Sequence, residues 1–307
     1  MKTTEEQVTD LIQLAEDNKL EGEFFNLDID AYFKGPGFSR SDLTTILNQS
    51  LAHLVYKKEH PQQSTKAMLF GTAFHDMITG DEYFLSRNFC KDEIPEIETP
   101  KFGRTKAEIE KKEKWLEGTY QPWQRETLEP WIDSISTKRG WDKSEWANLI
   151  GMLAATKSHE VLQNLMEDCE IETSYFWRDP GSDLLLKARP DLVNKRKRVL
   201  LDFKTTMDAS FVQFQRSIAN FQYHVQGAFY LDGVNRVLDG DFDQFILVAV
   251  EKNPPYEIAL YSLDAASLEV GRETYKRAIK KLKSNEHGYP RDIQAINLPA
   301  WAFHLED

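Results

Sequence analysis

The sequence is poor in cysteine, in long apolar runs and in positive charge. Cys90 and Cys169 are its only cysteines, which excludes a disulfide scaffold and a four-cysteine zinc or iron–sulfur site. The longest purely apolar run, Phe245–Val250, is far shorter than the roughly 20 residues that cross a bilayer. The polar, acidic stretch Met1–Asp10 also lacks the features of a signal peptide. We therefore expect neither a membrane segment nor secretion.

Basic residues are outnumbered: 38 lysines and arginines stand against 50 aspartates and glutamates, a net charge of −12 over 307 residues. As a whole-chain value this argues against a nucleic-acid partner, because phosphate binding requires cations. The charge is uneven, however, since Lys187–Lys204 and Gly271–Lys283 each carry a local net charge of +5. We interpret the second segment as the solvated face of a helix. The turn Lys195–Arg198 in the first segment is a candidate phosphate contact.

Hydrophobic periodicity predicts a helical first part and an irregular second part. Three amphipathic helices are expected, at Thr3–Lys19, Ser41–Lys58 and Lys66–Thr79. Residues 81–140 are the least regular, with several prolines and a mixed-charge helix near Lys106–Trp115, and we interpret them as an inserted arm. The tryptophans of the arm and its edge are assigned by default to a local core, with a subunit interface or a DNA-end wedge as alternatives: Trp115, Trp123, Trp131 and Trp141.

From Asp142 onwards, helical and β-like periods alternate. A long helix is predicted from Asp142 to about Met166, followed by three antiparallel-type strands, two helices, two strands and a last helix. After the long helix the ranges are, in order, Ile171–Arg178, Leu184–Asp191, Val199–Lys204, Ala209–Ile218, Phe221–Val237, Phe245–Glu251, Tyr256–Leu263 and Leu268–Lys283. This order predicts an α/β (α+β) fold with a mixed central sheet flanked by helices. We expect one compact domain, made of an N-terminal helical part (1–80), the arm (81–140) and a core (141–307).

Two aspartates and a lysine are predicted to meet at the edge of that sheet. Asp202 and Lys204 are two apart on a strand, so their side chains leave the same face while Phe203 enters the opposite one. Asp191 ends the preceding strand and lies beside Asp202 if the two strands pair. Burying such groups is costly unless they are paired, and a divalent cation on the carboxylates, with the lysine steadying a water, gives the arrangement a purpose. The alternative is an Asp–Lys pair on an edge strand.

The residues Pro190-Asp191 and Asp202-Phe203-Lys204 resemble the signature of the PD-(D/E)XK nucleases. The surrounding sequence resembles, more specifically, the RecE-type (exodeoxyribonuclease VIII-like) branch of that superfamily. Four further motifs occur in the order of that branch, within a resemblance that covers about Ser39 to Lys283. They are a histidine motif on a helix, a strand before the Pro-Asp motif, a Q-x-x-x-Y motif and a later hairpin: Gly71–His75, Glu172–Trp177, Tyr223–Tyr230 and Val250–Tyr256.

The resemblance implies a restriction-endonuclease-like core that binds Mg²⁺ or Mn²⁺. The implied ligands are His75, Asp191, Asp202 and the backbone carbonyl of Phe203, with Glu172 as a further candidate that could instead face solvent. Lys204 would orient or help deprotonate the attacking water. The alternative for His75 is a structural histidine; as a ligand it must be neutral, so activity is expected to fall in mild acid. Gly71, one turn earlier, would let the helix approach the sheet closely.

Other residues are expected to hold the lysine or the DNA. Gln226 and Tyr230, at i and i+4, share a helix face and could contact a phosphate or hold Lys204; the alternative is the polar seam of an amphipathic helix. The residues expected to contact DNA are basic and lie close to the aspartates in sequence: Arg189, Lys195, Arg196, Lys197 and Arg198.

By resemblance, the protein is expected to be a cytoplasmic exodeoxyribonuclease, encoded by a phage or prophage, that acts on the ends of double-stranded DNA. It would degrade 5′→3′, leave 3′ single-stranded tails for a RecT-like annealing partner, and form a homo-oligomeric ring around DNA. One alternative is a RecB-like or other PD-(D/E)XK nuclease, although the sequence contains no helicase P-loop. The non-enzyme alternative is an inactive DNA-end-binding or assembly module.

Overall fold

The computed structural model describes residues 2–61, 63–91, 138–284, 289, 292–293 and 295–297, which contain eleven helices and ten strands. The helices are α1 Thr4–Glu16, α2 Ile29–Lys34, α3 Arg40–Asn48, α4 Leu51–Glu59, α5 Lys66–Thr79, α6 Asp81–Arg87, α7 Lys143–Ser158, α8 Glu160–Met166, α9 Phe211–Asn220, α10 Tyr223–Leu238 and α11 Ala265–Lys283. The strands are β1 Gly22–Phe24, β2 Asn88–Cys90, β3 Arg139–Trp141, β4 Glu170–Ile171, β5 Ser174–Arg178, β6 Leu185–Ala188, β7 Leu192–Asn194, β8 Val199–Thr206, β9 Gln244–Glu251 and β10 Ile258–Ser262.

A five-stranded sheet in the order β10-β9-β8-β7-β4 forms the centre of the molecule. The pair β8–β9 is parallel, whereas β9–β10, β7–β8 and β4–β7 are antiparallel. The parallel pair is connected through α9 and α10, as a crossover between parallel strands requires. The predicted α/β fold with a mixed sheet and flanking helices is therefore confirmed.

Successive side chains of β8 point to opposite faces of the sheet, and each face packs against its own apolar core. Leu200 faces a core shared with α3, α10 and α11, whereas Leu201 and Phe203 face a second core shared with α5 and α7. The ring of Phe203 packs against that of Phe74 on α5, with the ring centroids 6.0 Å apart. Because β8 is covered on both faces, the polar side chains that share the face of Leu200 are also removed from solvent.

The N-terminal segment packs beside the central sheet, against β5 and β6. Strand β1 joins β5 and β6 in a separate three-stranded sheet, and α1 and α2 pack over Phe176 of β5. Lys187 of β6 is 1% exposed, and its ammonium donates to the carbonyls of Tyr32 and Gly35 at 2.6 and 2.7 Å, where α2 ends. The N-terminal segment is thus attached to the rest of the chain through both strand pairing and a buried cation.

Three predicted elements are each broken into two by the structure. The helix predicted at Ser41–Lys58 forms α3 and α4, because Ser50 caps a new helix by accepting from the N–H of His53. The helix predicted from Asp142 to Met166 divides at His159, which caps α8 in the same way. The strand predicted at Ile171–Arg178 forms β4 and β5, which belong to different sheets, and Glu172 between them has a φ of 47°.

The base of the predicted arm lies on α5. Strands β2 and β3 pair in parallel, and Trp141 is buried in the core, the default assignment for these tryptophans. The predicted helix Lys106–Trp115 and the other three tryptophans, Trp115, Trp123 and Trp131, lie outside the described residues, and the division into parts 1–80, 81–140 and 141–307 stays a prediction. Among the described residues, no helix is long and apolar enough to cross a membrane.

Candidate active site

Asp202 and Lys204 lie side by side in the middle of β8. The Nζ of Lys204 is 2.6 Å from Oδ2 of Asp202, and Asp202 is 1% exposed. The amide of Gln226 on α10 donates to the other oxygen, Oδ1, at 2.7 Å. The ammonium also lies over the ring of Tyr223, 4.7 Å from its centroid. The alternative of an exposed Asp–Lys pair on an edge strand is therefore excluded, since β8 is central and the carboxylate is buried.

Strand pairing places Asp191 next to this pair. Leu192 of β7 pairs with Leu201 of β8, so Asp191 comes opposite Asp202, close to it as predicted. The predicted strand Leu184–Asp191 is wrong, however, because β6 ends at Ala188 and pairs with β5, and Asp191 directly precedes β7. Its Oδ2 accepts a 2.6 Å hydrogen bond from the backbone N–H of Phe203 and lies 3.4 Å from Nδ1 of His75 on α5. Two carboxylates, an imidazole and an ammonium thus converge at the strand edge between α5 and α10.

The proximity of these groups changes their acid–base behaviour. Burial lowers the pKa of His75, but the carboxylate of Asp191 outweighs it and raises the pKa to about 9. Burial raises the pKa of Asp191, yet His75 and Lys204 bring it below its usual value. Burial dominates at Asp202 and raises its pKa, whereas the two carboxylates keep the pKa of Lys204 above its usual value despite burial. With the pKa of His75 near 9, protons compete with a metal up to that pH, beyond the mild acid expected from the sequence.

The donor chemistry at this edge fits a hard divalent cation. In the part of the chain that the structure describes, no group of three or more His, Cys, Asp and Glu side chains surrounds one point as metal ligands. However, Oδ2 of Asp202 is buried, and its cationic neighbour is the ammonium of Lys204 at 2.6 Å. Carboxylate oxygens are the ligands that Mg²⁺ and Mn²⁺ prefer, and Asp191 and Asp202 present them next to each other. The residues present therefore fit such an ion, and Lys204 competes with it.

Gln226 and Tyr230 share a face of α10, as predicted, but Gln226 contacts Asp202 and not Lys204. Its Oε1 in turn accepts from Arg40 at 3.3 Å, so one amide joins the aspartate to the first residue of α3. Tyr230 and Arg40 line a cavity of about 260 Å³ with Asp191, and burial raises the pKa of Tyr230 to about 12. This cavity opens directly onto the carboxylate and is large enough to receive part of a substrate.

Glu172 and Arg189 bind each other at the rim of the same cavity. The guanidinium of Arg189 lies 2.9 Å from the carboxylate of Glu172 and also donates to the carbonyl of Leu27 and the hydroxyl of Ser174. The side chain of Arg189 is only 11% exposed, which does not suit the DNA contact expected of it. The N–H of Glu172 donates to the carbonyl of Asp191 at 2.9 Å. Glu172 therefore positions the strand end that carries Asp191, and its role as a metal ligand stays a prediction.

The basic turn Lys195–Arg198 lies away from the aspartates. It connects the other ends of β7 and β8, and Arg198 is four residues, or about 13 Å of strand, from Asp202. Each cation of the turn has a carboxylate partner: Lys195 with Glu23 and Glu170, Arg196 and Lys197 with Glu167, and Arg198 with Asp241. The expectation that the turn lies adjacent to the site is wrong, and its role in DNA binding stays a prediction with little geometric support.

Three features of the site differ from the sequence-based view. Arg40 and Tyr223, which contact Gln226 and Lys204, were missed as site residues; Arg40 directly follows Ser39, which caps α3, but nothing local indicates a contact with α10. Gly71 does lie near β8, yet a Cβ there would meet Thr205 at 3.6 Å. That is ordinary van der Waals contact, so the predicted need for glycine at this helix–sheet approach is not supported.

Comparison with known proteins gives one extensive match. Residues 39–290 match the model of a family described as "PDDEXK-like domain of unknown function (DUF3799)". No curated protein matches the chain significantly. Among solved structures, the chain is similar to a "Putative exonuclease" from Eubacterium rectale, at 13% identity and a TM-score of 0.48 over 88% of this chain and 93% of that one. It is also similar to SSO0001, at 19% identity and a TM-score of 0.25 over 45% and 61% of the two chains.

Proposed function

The chain belongs to the family of PDDEXK-like domains DUF3799, and we propose that it hydrolyses phosphodiester bonds of DNA with the help of a divalent metal. Membership of the PD-(D/E)XK superfamily, predicted from the sequence, is confirmed by this match, whereas the RecE-type branch stays a prediction. The observation that carries the proposal is the convergence of Asp191, Asp202 and Lys204 at a buried strand edge beside an open cavity. No purely structural role requires a buried carboxylate beside a second, half-buried one there.

Mg²⁺ or Mn²⁺ would be held by Asp191, Asp202, the backbone carbonyl of Phe203 and His75. Such an ion polarises a phosphoryl oxygen and lowers the pKa of a bound water. The two carboxylates raise the pKa of Lys204, and Lys204 would orient or help deprotonate the attacking water and offset negative charge in the transition state.

Gln226 and Arg40 support this chemistry from α10 and α3. The amide of Gln226 holds Oδ1 of Asp202, which leaves Oδ2 directed at Lys204 and fixes the carboxylate in one orientation. Arg40 holds the amide in turn and lines the cavity beside Asp191. A guanidinium in that position can bind a phosphate of the substrate, since Arg pairs with phosphate in a bidentate way.

The finer assignment is exonucleolytic: we propose that the protein degrades linear double-stranded DNA from its ends, 5′→3′, and leaves 3′ single-stranded tails for annealing-based recombination. It is supported by the ordered motifs around Gly71–His75, Pro190-Asp191 and Gln226–Tyr230. A homo-oligomeric ring around DNA, a RecT-like annealing partner, and a phage or prophage protein acting in the bacterial cytoplasm belong to the same proposal. They rest on the resemblance of those motifs alone.

The test incubates the purified protein with end-labelled linear DNA and with covalently closed circular DNA, each in Mg²⁺ and in EDTA. We expect Mg²⁺-dependent loss of the linear DNA and an intact circle. Asp202→Asn and Lys204→Ala should each lower the rate by at least about 100-fold, the usual effect of removing a group that stabilises the transition state. Lys34→Gln, an exposed change on α2, is the matched control and should retain the wild-type rate.

Each other outcome contradicts a defined part of the proposal. Cutting of the circle would show an endonuclease and overturn the exonuclease assignment. Binding of ends without cutting would favour a DNA-end-binding module over an enzyme. Wild-type rates in folded Asp202→Asn or Lys204→Ala protein would show that the active site has been misplaced. Circular dichroism must accompany these variants, because removing one partner of a buried ion pair typically costs about 3–5 kcal/mol.

A further inference from the structure

A second concave surface lies between the last turns of α10 and α11, away from the active site. The groove has a volume of about 770 Å³. Its floor contains the buried ring of Trp177, and one wall is the turn that begins at Asp179. The other walls carry four exposed cations, namely Arg236 on α10 and Lys276, Lys280 and Lys283 on α11. We call this surface the α10–α11 groove.

The cations of this groove differ from the other basic cluster in lacking acidic partners. In the turn Lys195–Arg198 every cation is neutralised by a carboxylate. Among the residues that the structure describes, none of the four groove cations forms an ion pair. Asp232 lines the groove but is bound by Arg272 and Tyr275, and Asp179 accepts from Ser182. The groove therefore keeps a net positive charge on a protein whose total charge is −12.

Helix stability alone does not account for this arrangement. Cations in the last turn of a helix offset its dipole by about 0.3–1 kcal/mol each, which applies to Arg236, Lys280 and Lys283. Lys276 lies earlier, and as an i, i+4 neighbour of Lys280 it repels that residue. Facing all four cations into one groove without counterions adds further repulsion, and an anionic ligand that binds there would relieve it.

We propose that the α10–α11 groove binds the phosphate backbone of the DNA substrate at a distance from the bond that is cut; this rests on the proposed function. Arg236 follows Gln226 by ten residues on α10, which places the groove about 15 Å along the helix from the active site. Lys276 to Lys283 spans about 10 Å, or about three nucleotides of a strand at 3.4 Å each. One DNA molecule can therefore contact both places. Contacts of this kind recognise charge and not base sequence.

The experiment measures binding and not cleavage. The full-length protein is titrated in EDTA against a fluorescein-labelled duplex of about 30 base pairs, by anisotropy at several salt concentrations. A groove variant, Lys276→Gln/Lys280→Gln/Lys283→Gln, should bind more weakly at low salt and flatten the salt slope by up to about 2.7, or 0.9 per lost phosphate contact. The control Lys34→Gln/Lys57→Gln/Lys143→Gln also removes three exposed cations, which lie outside the groove and outside the turn Lys195–Arg198, and it should change the slope by less than about 1.

Two further measurements separate the possible outcomes. The charge-retaining variant Lys276→Arg/Lys280→Arg/Lys283→Arg should bind like the wild type, and Arg236→Gln should flatten the slope by about 0.9 if the groove variant fails to fold. An unchanged salt slope in the folded groove variant overturns the proposal. The groove cations would then bind an acidic protein partner or only stabilise the helix ends. If the protein binds DNA through the groove but never cleaves it, the proposed function fails while the groove assignment stands.

Discussion

His75 is the residue at which a proton would compete with the proposed metal ion. Its imidazole faces Asp191, with Nδ1 3.4 Å from the carboxylate and 27% of the side chain exposed. The metal and the proton exclude each other on the imidazole. The charge state of this one side chain therefore affects the stability of the protein and, if the proposed function holds, how readily an ion binds.

A titration of stability tests this assignment. Because folding raises the pKa of His75 from 6.5 to about 9, its contribution is fully present below pH 6.5 and is lost as the pH rises through about 9, a change of up to about 3 kcal/mol. Urea unfolding in EDTA at a series of pH values should show that wild type loses this increment relative to His75→Gln. Parallel curves for the two proteins would show that folding does not shift the pKa of His75 and would contradict the assignment.

The sequence predicted site residues only where they are close to one another in the chain. Asp202 and Lys204 could be placed on one face because strand geometry fixes i and i+2. The proximity of Asp191 to Asp202 was also predicted, although the strand expected to carry Asp191 pairs with β5 and the short strand β7 was missed. Arg40 could not be found, because its contact with Gln226 joins residues 186 positions apart. The neutralisation of Lys195–Arg198 was equally invisible, since Glu23, Glu170 and Asp241 come from three separate segments.

At the scale of elements, buried polar contacts hold together segments that hydrophobic packing alone would leave loosely joined. Lys187 is the clearest case: it stands in β6 with its ammonium on the carbonyls at the end of α2 and 5.0 Å from the ring of Tyr32. Burial lowers its pKa to about 8, but three carbonyl acceptors stabilise the charged form. Lys187 therefore has a structural role, because its ammonium caps the carbonyl groups at the C-terminal end of α2.

Lys187→Met should loosen the N-terminal segment. The substitution keeps the apolar stem but leaves buried carbonyls without a donor, at a cost of about 1–3 kcal/mol. We expect urea unfolding at neutral pH to show this loss, together with faster hydrogen exchange in α2. Lys34→Met, which changes an exposed lysine of the same helix, is the control and should be nearly neutral. Equal stability of the two variants would mean that the buried ammonium caps nothing.

Element type was more predictable than element boundaries. The helix predicted at Lys66–Thr79 is α5 to the residue, because its apolar period is regular and Thr65 provides the cap. The breaks at Ser50 and His159 were missed, since the apolar pattern continues through them and only the capping side chains mark the new helices. The strand from Ile171 divides between two sheets because Glu172 turns the chain, which alternation of side chains does not reveal.

At the scale of the whole molecule, the local charge of a segment can differ in sign from the net charge of the chain. The net charge of −12 argues against a nucleic-acid partner. The turn Lys195–Arg198, the basic segment first considered as a phosphate contact, forms ion pairs with carboxylates. Among the described residues, four cations without an ion pair gather instead in the α10–α11 groove, three of them on the helix that its sequence assigned to solvent. Net charge thus constrains solubility and nonspecific binding, whereas recognition depends on which cations lack partners once the chain has folded.

The two ends of the arm are joined to α5 by polar contacts of β2 and β3. Asn88 of β2 donates to Asp76 at 3.1 Å and accepts from the indole of Trp141 in β3 at 2.9 Å. Arg139 forms an ion pair with Asp76, a carboxylate that is 4% exposed. These contacts join β2 and β3 to α5 at the residue next to His75. They keep residues 91 and 138, the two ends of the arm, close to the core.

Replacing residues 92–137 by a flexible linker of about a dozen residues, the shortest usual crossover between parallel strands, should therefore preserve the fold. Loop-closure entropy favours the shorter connection by about 1 kcal/mol, so the melting temperature should be equal or slightly higher. Asp76→Ala in the shortened chain is the companion variant and should lower it clearly. A shortened chain that is unfolded by circular dichroism would contradict this view of the arm's base.

That base has an evolutionary consequence. A pair of strands pinned to the helix that bears His75 is a place where the length of the chain can vary without displacing the aspartates, because β7 and β8 lie elsewhere in the fold. Insertions and deletions are tolerated where both ends of a segment are fixed by the core. Relatives of this protein can therefore be expected to differ most in length between β2 and β3, and to diversify there while the hydrolytic centre stays constant.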